Sequence, residues 1–265
     1  MVDDDTTQAA APGQPGLILN GIIKKFAGRT VCDVPHLELG AYGVEGLVGP
    51  NGAGKTTLTK LITGALALDE GVIVHNGPSG PVQISGLPTQ QIAQQGVVKS
   101  NQVIQDFESL TIRDSLLLAA TNSDVERFYR VFGKAGPTQQ QADEIDWYLD
   151  YFELSDPDRH AMSGGEKKLL DIIRCLLVKP RFLLLDEPTA GLPQAETEKV
   201  ARLVAEKAAA GEMSVLIIEH DLELMWSLCE YVHFLAEGRV LLQGPPEQIR
   251  NDPTVVEKYL GAGHA

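Results

Sequence analysis

The segment Gly49-Pro50-Asn51-Gly52-Ala53-Gly54-Lys55-Thr56 satisfies the pattern G-x-x-x-x-G-K-[ST], and it lies between the apolar run "VEGLV" and a helical pattern. Glycines in such a turn let backbone N–H groups point inward with no Cβ in the way, and the following helix presents its positive end. That is chemistry for gripping phosphate groups. Lys55 reaches the outer phosphates as a point charge, and the Thr56 hydroxyl is placed to ligate Mg²⁺. The alternative, a glycine-rich turn that only opens a helix, is disfavoured by the strand-then-helix context.

Three other polar groups end apolar runs. "RFLLLDEP" places Asp186 and Glu187 at the end of a buried strand, where adjacent carboxylates are costly unless they meet a metal or a proton-transfer task. Asp186 would support Mg²⁺ through its coordination shell. Glu187 points elsewhere and is placed to polarise the water that attacks the γ-phosphate, which is general-base work. The plainer reading is a strand that ends in solvated acids before a proline turn. His220 closes "SVLIIEH". A lone histidine there is more often structural, but a second parallel strand would deliver it to the same carboxyl edge of a sheet, where ligands of such folds bind. Ser163-Gly164-Gly165 precedes an amphipathic pattern and offers a second anion-binding helix start, although the default reading of a bare S-G-G is a flexible linker.

The elements that must position these groups follow from the periodicity. Strand-like runs recur at "LILNGIIKKF", "VEGLVG", "GVIVHN", "RFLLLDE", "SVLIIEH" and "YVHFLAEGRVLLQG", several of them continuous Val, Ile and Leu, as suits strands buried on both faces. Helical patterns alternate with them, which implies an α/β fold with a mainly parallel sheet. Residues from Leu17 to Val48 instead suggest antiparallel strands with turns at "AGR" and "LGAYG". From Asn101 to Met162 the strand signals give way to a helical insertion, divided by "GKAGPT". The acidic start, residues 1–16, is poor in large apolar side chains and is expected to be a disordered tail.

The bulk numbers restrict function further. A chain of 265 residues with 43% hydrophobic and 22% charged residues has the balance of a globular protein with a sizeable core. A net charge of -14 opposes a broad grip on nucleic acid or anionic lipid. Cys32, Cys175 and Cys229 are too far apart in sequence for a CxxC metal pattern or a disulfide framework, which fits a reducing cytosol. No apolar run is long enough for a membrane helix, and the start lacks the features of a secretory signal.

In order, "GPNGAGKTT", "KSNQ", "SGGEKK", "FLLLDEPTAGL" and "LIIEHD" resemble the ATP-binding cassette (ABC) ATPases over nearly the whole chain after Gly16. The resemblance implies a P-loop NTPase: a RecA-like core with an antiparallel β subdomain across 17–100 and 163–265, and a helical subdomain at 101–162. It implies ATP and Mg²⁺ as cofactors, with Gly49, Asn51, Gly52, Ala53, Gly54, Lys55, Thr56 and Thr57 holding phosphates, and Thr56, Gln102 and Asp186 at the metal. Glu187, His220 and Gln102 become the catalytic set, Gln102 being otherwise an exposed loop amide. Ser163, Gly164 and Gly165 cover the ATP of a second cassette docked head to tail. Phe26 sits where the family stacks an aromatic on adenine, and is equally plausible as core filling.

Four positions depart from the family pattern: Met162 and Glu166 flank the signature in place of Leu and Gln, Pro193 follows "TAGL" where Asp is common, and Asn101 replaces an aromatic before Gln102. The ending "GRVLLQGPPEQIRNDPTVVEKYLG" resembles ATPases of branched-chain amino acid and urea importers. It implies an ATP-hydrolysing subunit, peripheral on the cytoplasmic face of the membrane, partnered by an identical or paralogous cassette and two integral-membrane permeases, with a solute-binding protein acting indirectly and no nucleic acid. An exporter of lipid or lipopolysaccharide is the runner-up, ahead of a soluble ABC ATPase. A switch GTPase is disfavoured because N-K-x-D is missing.

Overall fold

The computed structural model describes residues 13, 14, 16–100, 110–121, 138–154, 156 and 162–260. Ten strands are described in two sheets. The first is antiparallel, in the order β2 (Arg29–Leu39), β1 (Leu17–Phe26), β4 (Glu70–Gly77), β5 (Gly80–Gln83). The second runs β10 (Arg239–Gly244), β9 (Tyr231–Ala236), β3 (Val44–Val48), β8 (Ser214–Ile218), β7 (Phe182–Asp186), β6 (Val97–Lys99). Its pairings are parallel except for the β9–β10 hairpin.

One expectation is corrected here. Val44–Val48 is not a third antiparallel strand after β2 but the centre of the parallel sheet, between β8 and β9. Nearness in sequence suggested a meander, whereas a strand whose five residues are all buried requires neighbours on both edges and cover on both faces.

The continuous apolar runs have that cover. Along β7, Leu183 and Leu185 face one core while Phe182 and Leu184 face the other; along β8, Val215 and Ile217 alternate with Leu216 and Ile218 in the same way. The first core lies under the helices α3 (Ile112–Thr121), α4 (Gln139–Tyr151), α5 (Gly164–Leu177) and α6 (Gln194–Ala209). The second is shared by the antiparallel sheet and helix α1 (Lys55–Ile62). Each fully buried Leu or Ile contributes roughly 1.5–3 kcal/mol. The shorter helices α2 (Thr89–Gln94), α7 (Leu222–Leu228), α8 (Pro246–Arg250) and α9 (Pro253–Leu260) complete the described elements.

A polar clamp fixes the central strand. Glu45, 1% exposed, accepts from the Gly40 and Tyr42 N–H groups at 2.9 and 3.1 Å. His233 on β9, also 1% exposed, donates from Nε2 to the other Glu45 oxygen at 3.0 Å. Tyr42 and Tyr231 stack above this pair with ring centroids 4.5 Å apart. A buried carboxylate so fully satisfied is tolerated where a lone one is not.

Among the described residues between Asn101 and Met162 lie the helices α3 and α4, and α4 begins with a capping box at Thr138 and Gln141. The acidic tail falls mostly outside the described residues, as does Gln102.

Candidate functional site

β3 ends at Val48, and the chain then turns through Gly49–Gly54 into α1. Only glycine fits at position 49, where a Cβ would lie 1.9 Å from the Leu235 carbonyl oxygen. Gly54 has a φ of 106°, a left-handed conformation that glycine adopts without a steric penalty, and a Cβ there would meet the Val31 carbonyl oxygen at 3.0 Å. These two close approaches pin the turn against β9 and against β2. The Ala53 N–H donates to Pro50 O at 3.1 Å, and the Ala53 carbonyl accepts from Gly238 at 2.9 Å.

The turn opens on a cavity of about 1010 Å³. Asn51, Gly52, Ala53, Gly54, Lys55, Thr56 and Thr57 line it together with Asp186, Glu187 and His220. Phe26 also lines the cavity and is 47% exposed, so it does not serve as core filling. The Lys24 ammonium lies 5.5 Å from its ring centroid.

Lys55 is nearly buried, and its Nζ donates to the carbonyls of Gly49 and Pro50 at 2.5 and 3.1 Å. Burial pulls its pKa below the usual lysine value, opposed by the negative charges of Glu187 and Asp186. An ammonium that is partly desolvated and faced by two carboxylates is suited to an anionic ligand.

The paired acids diverge. Asp186 is 1% exposed, and its Oδ2 accepts from Lys99 Nζ at 2.7 Å. Its own N–H donates to Ser100 Oγ at 3.0 Å. Glu187 follows with φ 51°, a left-handed turn uncommon for a non-glycine residue, while its N–H continues the ladder to Ile218 O at 2.8 Å. That turn sends the carboxylate into the cavity, where Oε1 accepts from His220 Nε2 at 3.1 Å. Two neighbouring carboxylates thereby acquire separate environments, one buried on a cation and one half-exposed beside a histidine.

Glu219, the residue before His220, was not legible as a site residue. It is 4% exposed, and its carboxylate accepts from the Thr189 N–H and hydroxyl at 2.7 and 2.6 Å. It ties the strand that carries His220 to the loop after Glu187. Lys99, which holds Asp186, was also missed, because β6 is three residues long and its partner lies 87 residues on.

Ser163, Gly164 and Gly165 are not among the residues lining this cavity. Ser163 caps α5: its Oγ accepts from the Glu166 N–H at 3.2 Å, and the Glu166 carboxylate accepts from the Ser163 N–H at 2.8 Å. The segment is a capped helix start and not a linker.

The donor set suits Mg²⁺. Thr56 and Asp186 offer hard oxygens to one cavity, the few-ligand set this ion takes when phosphates and waters complete its shell. Among the described residues no group of three or more His, Cys, Asp or Glu gathers into a self-sufficient metal site. No helix among them is long and apolar enough to cross a membrane.

Known proteins resemble this chain over most of its length. Residues 33–190 match the ABC transporter family, and residues 239–265 match the branched-chain amino acid ATP-binding cassette transporter family. The high-affinity branched-chain amino acid transport ATP-binding protein LivG of Escherichia coli K12 is 34% identical over 94% of this chain and 98% of its own. The lipopolysaccharide export system ATP-binding protein LptB of Haemophilus influenzae is 31% identical over 92% and 97%. The ADP conformation of MJ1267, an ATP-binding cassette of an ABC transporter, superposes with a TM-score of 0.76 at 27% identity, covering 94% of this chain and 99% of that one.

Proposed function

The chain belongs to the ABC transporter family of ATP-binding proteins, and from that premise we propose that it powers the import of branched-chain amino acids through partner permeases. The observation that carries the solute class is the C-terminal match, residues 239–265, to the branched-chain amino acid branch of the family. The chain is an ATPase.

Within the cavity, the loop from Gly49 to Gly54 turns its N–H groups to the phosphates, and Lys55 leaves the Gly49 and Pro50 carbonyls to meet the outer ones. Phe26, exposed in the cavity lining, is the platform for the base. Glu187 takes the proton of the attacking water, and His220, in contact with its carboxylate, orients it and stabilises the charge that develops. Thr56 and Asp186 would hold Mg²⁺, with Gln102, outside the described residues, as the third ligand. When bound, the ion neutralises charge on the transferring phosphoryl group.

The cavity as formed by one chain lacks Ser163, Gly164 and Gly165. A second cassette, identical or paralogous, would bring its own capped α5 start over the γ-phosphate, so that ATP joins the pair and hydrolysis releases it. The four-stranded antiparallel sheet with the parallel core is the catalytic body, and 101–162 is the helical subdomain that faces the permeases on the cytoplasmic side.

The test is to purify the Glu187→Gln form from membranes in detergent with ATP and Mg²⁺, identify the co-purifying chains, and assay leucine uptake by the wild-type complex in proteoliposomes. Two multispanning permeases and ATP-dependent leucine entry are expected. Export of an acyl-chain lipid, the reading favoured by the LptB likeness, or only soluble partners, would overturn it.

A further inference from the structure

Lys258 belongs to the last described helix, yet it lines the same cavity as the phosphate loop. α9 is held in place by Val255, which is 4% exposed within the main core, and by the Asp252 carboxylate, which accepts from the Thr254 N–H at 2.8 Å. One turn on, Lys258 Nζ donates to Glu237 Oε1 at 2.6 Å.

The route from that ammonium to the phosphate loop is short. Glu237 stands in the β9–β10 turn with φ 52°. Its neighbour Gly238 donates to Ala53 O in the phosphate loop at 2.9 Å and accepts from the Asp33 N–H at 2.8 Å. Contacts therefore run from Ala53 through Gly238 and Glu237 to Lys258. A Cβ at Gly238 would lie 2.6 Å from the Val31 carbonyl oxygen, so this turn abuts β2 two residues from Arg29, the partner of Phe26 across β1 and β2, and Lys258 lines the cavity together with these residues.

The ion pair does little for the fold. The Lys258 and Glu237 side chains are 31% and 80% exposed, and pairs so wet contribute little stability. The chain's net charge of -14 disfavours the approach of a polyanion, so a cation on the wall of its binding cavity has a local value that it would lack elsewhere.

We propose that Lys258 is a nucleotide-recognition residue carried by the C-terminal helix, its ammonium donating to acceptor atoms of the nucleoside half of ATP. This rests on the reading of the cavity as the ATP site with Phe26 as the base platform. The inference gives a task to the C-terminal segment that marks this branch of the family: it closes the nucleoside end of the site, while the phosphate loop holds the other.

Equilibrium binding of ATP and of inorganic tripolyphosphate, each with Mg²⁺, to full-length wild type, Lys258→Ala, Lys258→Arg and Glu237→Gln tests it. Lys258→Ala is expected to weaken ATP about tenfold, as loss of one charged hydrogen bond does, and to leave tripolyphosphate within about twofold. Lys258→Arg should restore ATP affinity, and Glu237→Gln, which breaks the ion pair and keeps the ammonium, should weaken ATP less than Lys258→Ala. Wild-type ATP affinity in Lys258→Ala, equal losses for ATP and tripolyphosphate, or a loss in Glu237→Gln as large as in Lys258→Ala would each overturn the proposal. Failure of the wild type to bind either ligand would overturn the site reading itself, a result distinct from absence of the Lys258 effect.

Discussion

Lys99 Nζ, at the end of β6, lies 2.7 Å from Oδ2 of Asp186 at the end of β7. Asp186 is 1% exposed, so the ammonium is what makes a carboxylate tolerable there. Removing one partner of such a pair leaves an uncompensated buried charge. Lys99→Met is expected to lower stability by about 3 kcal/mol in urea unfolding without nucleotide, and Lys99→Arg to recover most of it. An unchanged midpoint in Lys99→Met would show that the pair is not formed.

Glu187→Gln keeps the shape of the side chain and removes its basicity. Turnover should fall by about a hundredfold or more, with ATP binding within about threefold of wild type. Turnover at the wild-type rate would exclude Glu187 as the base.

Lys55→Ala acts on binding. Its ammonium is the cation of the phosphate loop, and its loss should weaken ATP by about tenfold or more in titration calorimetry. Unaltered affinity would contradict the assignment.

Ser163 has two separable tasks. As the N-cap of α5 its change to Ala should cost about 1 kcal/mol, and its change to Gly only a few tenths. If the hydroxyl also meets phosphate across a pair of cassettes, Ser163→Gly should retain its melting temperature and lose ATPase activity. Full activity in that variant would leave Ser163 with the cap alone.

The three thiols should be silent in the folded protein. Burial, then the Asp33 charge, pushes Cys32 up to about 11; burial, then Glu45 and Glu230, pushes Cys229 up to about 12; burial also raises Cys175 well above its ordinary value. Because the reactive thiolate forms only as pH approaches these raised values, a disulfide reagent at pH 8 should label none of them until denaturant is added. Rapid labelling of native protein would show an opening that the packing does not predict.

Legibility from sequence followed the range of the interactions. β7 and β8 stand out because both of their faces are buried, and the phosphate loop because its spacing is local. β5, "GPVQ", and β6, "VVK", are too short for periodicity to register. Lys99 finds Asp186 across 87 residues, and Glu45 finds His233 across 188, distances at which no local pattern connects them. The place of β3 was misjudged for the same reason: its partners lie in the last quarter of the chain.

That placement sets an order of assembly. β1, β2, β4 and β5 all come from Leu17–Gln83 and are able to pair as soon as they are made. β3 has to wait for Ser214–Ile218 and Tyr231–Ala236, which at translation rates of about 5–20 residues per second means roughly ten to forty seconds with both edges of an apolar strand unpaired. Without its neighbours β3 cannot hold the phosphate loop taut, so a ribosome-bound fragment would form the antiparallel sheet and still be unable to grip ATP.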